Sequence, residues 1–492
     1  MTSGVPRVVV VGNGMAGFRF VQELHGLGTR CDITVVGDEP GGAYNRAQLP
    51  LLLAGAARED SIGLADEAWY AARGVRVVAG AARRINRTGR VLETEAGTAL
   101  PYDVLVLAVG SAPVLPSARG LTGPNGRLLT GAVAFRTLAD CAQIRALAGD
   151  ASHAVVLGGG VLGLETARGL AAGGLPVTLV HRGSRLMERQ LDAAAARVLA
   201  RTLRGLGVAV LAGPSVASVR GSARVTGIEL DDGASLGADL LVVCCGARPR
   251  AELARGAGLA VGAGVVVDDE MRSVTDPAIF AIGDCAEHRG RTNGLVAPAW
   301  AQAAVAARVV ASRGSARGNA AGGSASYAGS PPVVRLKAAG IELAVLGSAR
   351  GGGADVVRFT DPARGVYQKL VVRDGRLAGA ILLGDTRTAG TLTQLFDRGA
   401  ALPADPRSVL VPRVDAAAPV ADSPVMMPGH ATVCHCNGVT KAAICAAWQG
   451  GARDAARVAA RTRATTGCGT CRDAVEGIVA WLAEAEPGLV PA

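Results

Sequence analysis

The 492-residue sequence predicts an α/β chain followed by smaller, differently built domains. Two observations carry the α/β class: a β-branched run, a glycine turn and a helical pattern follow one another at Arg7–Leu24, and the same construction returns at Ala154–Val180. A third observation sets the C-terminal region apart. Five of the ten cysteines, Cys434, Cys436, Cys445, Cys468 and Cys471, fall within the last 60 residues.

At this length about three domains are expected. With 49% hydrophobic and 19% charged residues the chain has the composition of a globular protein, not a disordered one. Aromatics at 3% argue against a stacking platform for single-stranded nucleic acid. The net charge of +10 comes almost entirely from arginine, since Lys337, Lys369 and Lys441 are the only lysines. No basic run reaches five residues, so the excess reads as solubility and docking to an acidic partner, with no nucleic-acid binding expected. Uneven cysteine spacing does not suit a disulfide framework. Nowhere do about 18 apolar residues run without charge, and no cleavage site follows the apolar start, so no membrane span is expected and the cytoplasm is the expected compartment.

In the first construction Val8–Val11 leads into Gly12-Asn13-Gly14-Met15-Ala16-Gly17. Gly12 permits the turn, Gly14 lets a pyrophosphate approach the backbone, and Gly17 allows close helix–strand packing beside a helix N-terminus that favours anions. The next apolar run, Ile33–Val36, ends before Asp38 and Glu39, where a ribose-binding carboxylate belongs. In the second construction Gly158, Gly160 and Gly163 take the same spacing. Two dinucleotide sites in one chain point to a flavin and a nicotinamide. The second unit's next strand ends in Val180-His181-Arg182, with Arg185 close behind, where an NAD-selective site usually carries an acid. Arg182 there suits a 2′-phosphate, and NADH and NADPH both remain open.

Two further buried strands follow, one ending Leu107-Ala108-Val109-Gly110-Ser111 and one reading Ile279-Phe280-Ala281-Ile282-Gly283-Asp284. The order of fingerprint, LAVGS, second fingerprint, VVCCGARPR and IFAIGDCAEH resembles the flavoproteins of the pyridine nucleotide-disulfide oxidoreductase type over roughly residues 5–315. The resemblance implies FAD on the first unit, with Asp284 bonded to its ribityl chain and Gly110 and Gly283 beside it, and NAD(P)H on the second. Val109 departs from the family's threonine. It also implies a discontinuous FAD-binding domain of residues 1–112 and 245–315 around an NAD(P)H-binding domain of residues 113–244.

Residues 43–52, AYNRAQLPLL, contain no cysteine, which sets thiol-based branches aside. AYNRAQL instead resembles the ferredoxin reductases and nitrite reductase large subunits, which implies that Arg46 contacts the FAD pyrophosphate. Trp300 matches a tryptophan packed near the flavin ring, with a simple core role as the alternative, and Glu165 matches a position near the nicotinamide, with helix packing as its alternative. LMERQLD, from Leu186, and RLKAAGIELAVLG, from Arg335, are similar to NAD(P)H nitrite reductase large subunits and the electron-transfer subunits of assimilatory nitrate reductases. Three alternating segments, DVVRFTD, GVYQKLVVRDG and RLAGAILLG, give three strands of a small α+β third domain, residues 330–403. A Pro- and Ala-rich linker is expected over residues 404–429.

The tail reads Cys434-x-Cys436, then thirty-one residues, then Cys468-x-x-Cys471. Two close thiolate pairs are what a [2Fe–2S] cluster requires, two for each iron. Structural zinc accepts four thiolates too, but more often with two to four residues within each pair. The pattern resembles the bacterioferritin-associated-ferredoxin-like domain and implies a small helical [2Fe–2S] domain over residues 430–486. Cys445 is expected to be a buried small hydrophobe, His435 to face solvent, and Thr440 to cap the helix that begins at Lys441.

Together these readings imply an FAD-dependent NAD(P)H oxidoreductase in which cofactors carry the chemistry and no side chain acts as nucleophile or general base. Electrons are expected to pass from NAD(P)H to FAD to the [2Fe–2S] cluster and on to a separate partner, foremost the molybdenum subunit of an assimilatory nitrate reductase. The sequence lacks a sirohaem domain, so nitrite reduction by this chain alone is not expected. The alternatives are a ferredoxin- or rubredoxin-reductase-like component of an oxygenase system, and a redox-sensing or iron-handling interaction protein.

Overall fold

Four consecutive valines, Val8–Val11, form the core of the strand Arg7–Val11, and every one of them is buried. Such a continuous apolar run belongs to a parallel strand covered on both faces. The computed structural model describes residues 5–314, 325–349, 351, 354–410, 427–434, 437–465 and 471–485. The chain divides into two units: Met1–Ala47, Arg58–Val114 and Ala247–Ser330 in one, Gln48–Ala57, Leu115–Gly246 and Pro331–Ala492 in the other.

In the first unit five parallel strands stand in the order Ile279–Ala281, Val104–Leu107, Arg7–Val11, Asp32–Gly37, Arg76–Ala79. Val8 lies beside Ile33 on one side and Val104 on the other, and Phe280 lies beside Val106. Helices Met15–Gly26 and Val296–Gly314 pack together in this unit, and Phe20, Val21, Leu24, Ala303, Ala306 and Ala307 join the strands in one core. Fully burying a side chain such as Phe20 or Leu24 is worth about 1.5–3 kcal/mol. An antiparallel meander, Ala82–Asn86, Val91–Thr94 and Ala99–Pro101, leads back to the sheet.

The second unit repeats the plan. Its five parallel strands run Ala132–Ala134, Leu240–Val243, Ala154–Leu157, Val177–His181, Val208–Ala212, and its meander is Val216–Arg220, Gly227–Leu230 and Ser235–Gly237. The outermost strand is supplied differently: it precedes the fingerprint in this repeat and follows the meander by about 180 residues in the other. Residues 48–57, expected with the FAD-binding domain, group instead with this second unit. Their helix Leu49–Leu53 packs on the fingerprint helix Val161–Ala172, where Gly169 makes room for Ala54, and Cys141 Sγ lies 3.8 Å from the Leu49 carbonyl.

The same unit contains a five-stranded antiparallel sheet in the order Val333–Ala338, Ile341–Gly347, Arg376–Leu383, Val366–Arg373, Asp355–Asp361, with helix Ala389–Arg398 packed against it. Three of these strands are the expected ones. The other two form a hairpin around Ala339-Gly340, where Gly340 has φ +79°. Its alternation is plain: Val334, Leu336 and Ala338 are buried between the more exposed Arg335 and Lys337. Leu402, Val409 and Leu410 join this core, so the body extends into the stretch expected to be linker.

At the C-terminus a short ribbon, Thr432–Cys434 with Val439–Thr440, and helices Lys441–Gln449, Ala455–Thr462 and Arg472–Ala485 enclose a separate core. Trp448, Ile444, Val458 and Val475 are fully buried in it. Thr440 Oγ1 accepts the Ala443 amide at 3.2 Å and caps the first helix. Met427 packs on this core and its carbonyl accepts from Lys441 Nζ at 2.9 Å.

Candidate functional site

The first fingerprint has a shape only glycine permits. Gly12 has φ +111°, and a Cβ there would run into the Ala108 carbonyl; one at Gly17 would strike the Gly12 carbonyl. Gly14 faces open space and precedes the helix with no side chain capping it. The first-turn amides of Met15–Gly26 are thus presented where a pyrophosphate approaches.

Around this turn the unit collects polar groups from four separate stretches. Glu39 pairs with Arg46 and accepts from Tyr44 Oη at 2.6 Å, while Asp38 pairs with Arg250 at 3.2 Å. Burial works against the Arg46 charge, and the Tyr44 and Glu39 oxygens more than offset it, so its pKa is raised. At the tip of Ile279–Ala281, Gly283 has φ +75° and donates its amide to Gln302 Oε1 at 2.8 Å. The neighbouring Asp284 carboxylate accepts from Ser111 Oγ at 2.7 Å, immediately after Gly110, which has φ +67°. Trp300 is buried under the Arg19 guanidinium, 5.1 Å from its ring centroid. The Trp300 Nε1 and Gln302 Nε2 atoms are buried with no hydrogen-bond partner among the described residues. Uncapped amides, a ribose-side acid and orphaned buried donors fit FAD. Next to Asp284, burial pushes the Cys285 thiol up to about 11, so it stays protonated near neutral pH and is no reactive thiolate.

The second fingerprint repeats the geometry: Gly158 has φ +115° and a Cβ there would meet the Cys244 carbonyl, while Gly163 packs on the Gly158 carbonyl. Gly160 again faces open space ahead of an uncapped helix. The His181 ring lies against Gly159, and Met187, at φ +48°, donates its amide to the Gly159 carbonyl at 2.9 Å, so residues 181–187 fold over the turn. Burial lowers the His181 pKa, and Glu188 works the other way. Arg182 is exposed and near enough to Cys245 to oppose the upward push of burial on that thiol.

Glu165 is buried, and its Oε1 accepts the Lys337 amide at 2.7 Å. That bond ties the fingerprint helix to the antiparallel sheet. Arg168 adds a bond to the Ala339 carbonyl at 3.0 Å, and Asp192 accepts from Tyr367 Oη at 2.7 Å and Lys369 Nζ at 3.0 Å. Asp192 closes the LMERQLD stretch and caps Ala193–Gly205 through the Ala195 amide. Sequence reasoning missed this latch, whose partners lie 175 and 177 residues away. It also missed Ser111 and Gln302, whose signal was adjacency to Gly110 and Trp300.

Of the four tail cysteines, Cys434 and Cys471 are described, while Cys436, Cys468 and His435 lie outside the described residues. Cys434 and Cys471 are buried in one apolar core, and the Thr465 amide points at Cys471 Sγ from 3.2 Å. Two sheltered sulfurs with an amide donor fit a four-thiolate [2Fe–2S] centre. Cys445 is half-buried against the same core. Among the described residues no helix is long and apolar enough to cross a membrane.

Comparison with known proteins finds matches along separate stretches of the chain. Residues 332–400 match the rubredoxin NAD+ reductase C-terminal domain and residues 432–481 the BFD-like [2Fe-2S] binding domain. The assimilatory nitrate reductase electron transfer subunit of Bacillus subtilis is 34% identical over 98% of this chain and 60% of its own length. The nitrite reductase [NAD(P)H] large subunit of Klebsiella oxytoca is 35% identical over 97% of this chain and 49% of its own. The chain thus spans about half to three-fifths of these relatives. A crystal structure of a ferredoxin reductase from Rhodopseudomonas palustris superposes with a TM-score of 0.71 at 27% identity, covering 83% of this chain and 98% of that one. The matching family models imply FAD, NAD(P)H and a [2Fe–2S] cluster as the cofactors of this chain. Because residues 6–308, well over half its length, match the pyridine nucleotide-disulphide oxidoreductase model, the chain belongs to that family.

Proposed function

We propose that this chain is the reductase arm of a two-component system, delivering electrons from NAD(P)H to the catalytic subunit of an assimilatory nitrate reductase. The observation that carries the reading is the union, in one chain, of two glycine fingerprints with a cysteine-bearing domain. Similarity to the nitrate reductase electron transfer subunit over nearly the whole chain supports the choice of partner.

FAD, when bound, turns a two-electron hydride donor into a source of single electrons, which is what a [2Fe–2S] centre accepts. The protein's part is to bind and align. Gly12, Gly14 and Gly17 bring backbone amides to the flavin pyrophosphate, Arg46 adds a cation there, and Glu39 or Asp38 takes the ribose. Asp284, oriented by Ser111, holds the ribityl chain, and Trp300 with Gly110 and Gly283 shelters the ring. Gly158, Gly160 and Gly163 do the same for the nicotinamide nucleotide, with Arg182 beside its ribose and Glu165 bracing the helix. Cys434, Cys436, Cys468 and Cys471 hold the cluster.

The test is reconstitution. Purified chain, NAD(P)H and the candidate molybdenum subunit should reduce nitrate, and neither protein alone should. Failure of transfer to that subunit with brisk transfer to a ferredoxin would favour the second reading, a reductase component of an oxygenase system. The likeness to a ferredoxin reductase over 98% of that chain supports the alternative.

A further inference from the structure

Directly after helix Ala455–Thr462 the backbone is held in an unfavourable conformation. Arg463 and Thr465 both have φ +66°, on either side of the fully buried Ala464. Left-handed φ is uncommon for any side chain and an outlier for a β-branched one, so it persists only where surrounding contacts enforce it. One such contact is visible: Asn437 Nδ2 donates to the Arg463 carbonyl at 2.5 Å. Asn437 directly follows Cys436 in sequence, so a residue next to the first cysteine pair holds the backbone at Arg463. The outcome of the conformation is a single aimed group, the Thr465 amide, 3.2 Å from Cys471 Sγ.

We propose that the Thr465 backbone amide is a fixed donor to the Cys471 sulfur and raises the reduction potential of the [2Fe–2S] centre. The inference rests on Cys471 being a ligand. One-electron reduction adds one negative charge, shared with the ligand sulfurs, while no bond is made or broken; the electron comes from the reduced nicotinamide. A donor already pointing at sulfur stabilises the more negative state more than the less negative one, and hydrogen bonds to sulfur are among the main determinants of cluster potential. Thr465 is therefore a positioning residue that acts through its main chain.

The experiment is an anaerobic redox titration of the full chain followed by electron paramagnetic resonance. Thr465→Gly keeps the amide and tolerates positive φ, so its cluster potential should match the parent. Thr465→Pro has no amide and cannot adopt φ +66°. It should make the cluster about tenfold harder to reduce, a fall of about 59 mV for a one-electron couple. Equal potentials in the Pro and Gly variants would overturn the proposal. A second measurement covers a Pro variant that does not assemble. After exchange into D2O, the reduced parent and Thr465→Gly should both show an exchangeable proton strongly coupled to the cluster, and its absence from the parent overturns the proposal equally. Cys471→Ser separates the two levels of the argument: unchanged cluster content and signal there would mean that Cys471 is not a ligand, whatever the amide does.

Discussion

Ser111 Oγ donates to Asp284 Oδ2 at 2.7 Å, a bond that joins residues 173 positions apart. It ties the turn after Val104–Leu107 to the tip of its neighbouring strand, Ile279–Ala281, so that the carboxylate assigned to the flavin is oriented by a hydroxyl. Hydrogen bonds to charged groups are worth about 1.5–3 kcal/mol. Ser111→Ala should therefore weaken FAD binding about tenfold, read by titrating the apoprotein with FAD, while NADP+ binding stays unchanged. Equal weakening of both would mean a general folding defect.

Glycine 12 and glycine 158 make the same demand at the two fingerprints. Each has φ above +110°, and each would drive a Cβ into a carbonyl of the adjoining strand end, Ala108 or Cys244. Gly12→Ala should yield protein that purifies without FAD. Gly158→Ala should keep its flavin but lose nicotinamide binding, as shown by the absence of flavin bleaching with NADPH. Swapped phenotypes would reverse the assignment of the two sites.

The Asp192 latch sets a stability and a pH dependence. Burial works to raise this carboxyl, but the Ala195 amide, the Tyr367 hydroxyl and the Lys369 ammonium together hold it below the ordinary range. A depressed carboxyl contributes stability that is present above its unfolded value, about 3.9, and is lost as pH falls through the lower folded value. Asp192→Ala removes a helix cap and leaves the buried Lys369 ammonium bonded to the Ala349 carbonyl without its carboxylate counter-charge. Loss of about 3 kcal/mol is expected at neutral pH, and less below pH 4. Denaturant titrations of both proteins at pH 7 and pH 3.5 check this; a difference that does not shrink at low pH would contradict it.

At the second ribose the strand tip offers His181 and Arg182 where an acid would select NADH. Arg182→Ala should lower kcat/KM for NADPH about tenfold and leave NADH nearly unaffected, since only the 2′-phosphate gains from a guanidinium. A parallel loss with both nucleotides would assign Arg182 to the loop that covers the fingerprint, not to phosphate recognition.

How much of this was legible in the sequence follows from the range of the forces involved. Gly12, Gly14, Gly17 and their counterparts announce themselves because the chain cannot turn that sharply with a side chain, a local constraint written in consecutive residues. The cysteine pairs are legible for the same reason. What the sequence hid is tertiary: nothing near Asp192 signals Tyr367 or Lys369, and nothing in LPLLL signals that residues 48–57 leave one unit for the other. The hairpin of Val333–Ala338 and Ile341–Gly347 was missed as a pair of strands although its alternation was present, since charged Arg335 and Lys337 interrupt a short apolar series. The left-handed Thr465 had no signal at all, because threonine is among the last residues one would place there.

The proposed electron path runs from NAD(P)H through the flavin to the cysteine-bearing domain. The deciding measurement adds NADH or NADPH anaerobically to the purified chain and follows flavin absorbance together with the paramagnetic signal of a reduced [2Fe–2S] centre. Both signals should appear in the parent, and flavin bleaching without the cluster signal in Cys468→Ser. A bleached flavin beside a cluster that stays oxidised in the parent, or a parent that binds zinc and no iron, would contradict it.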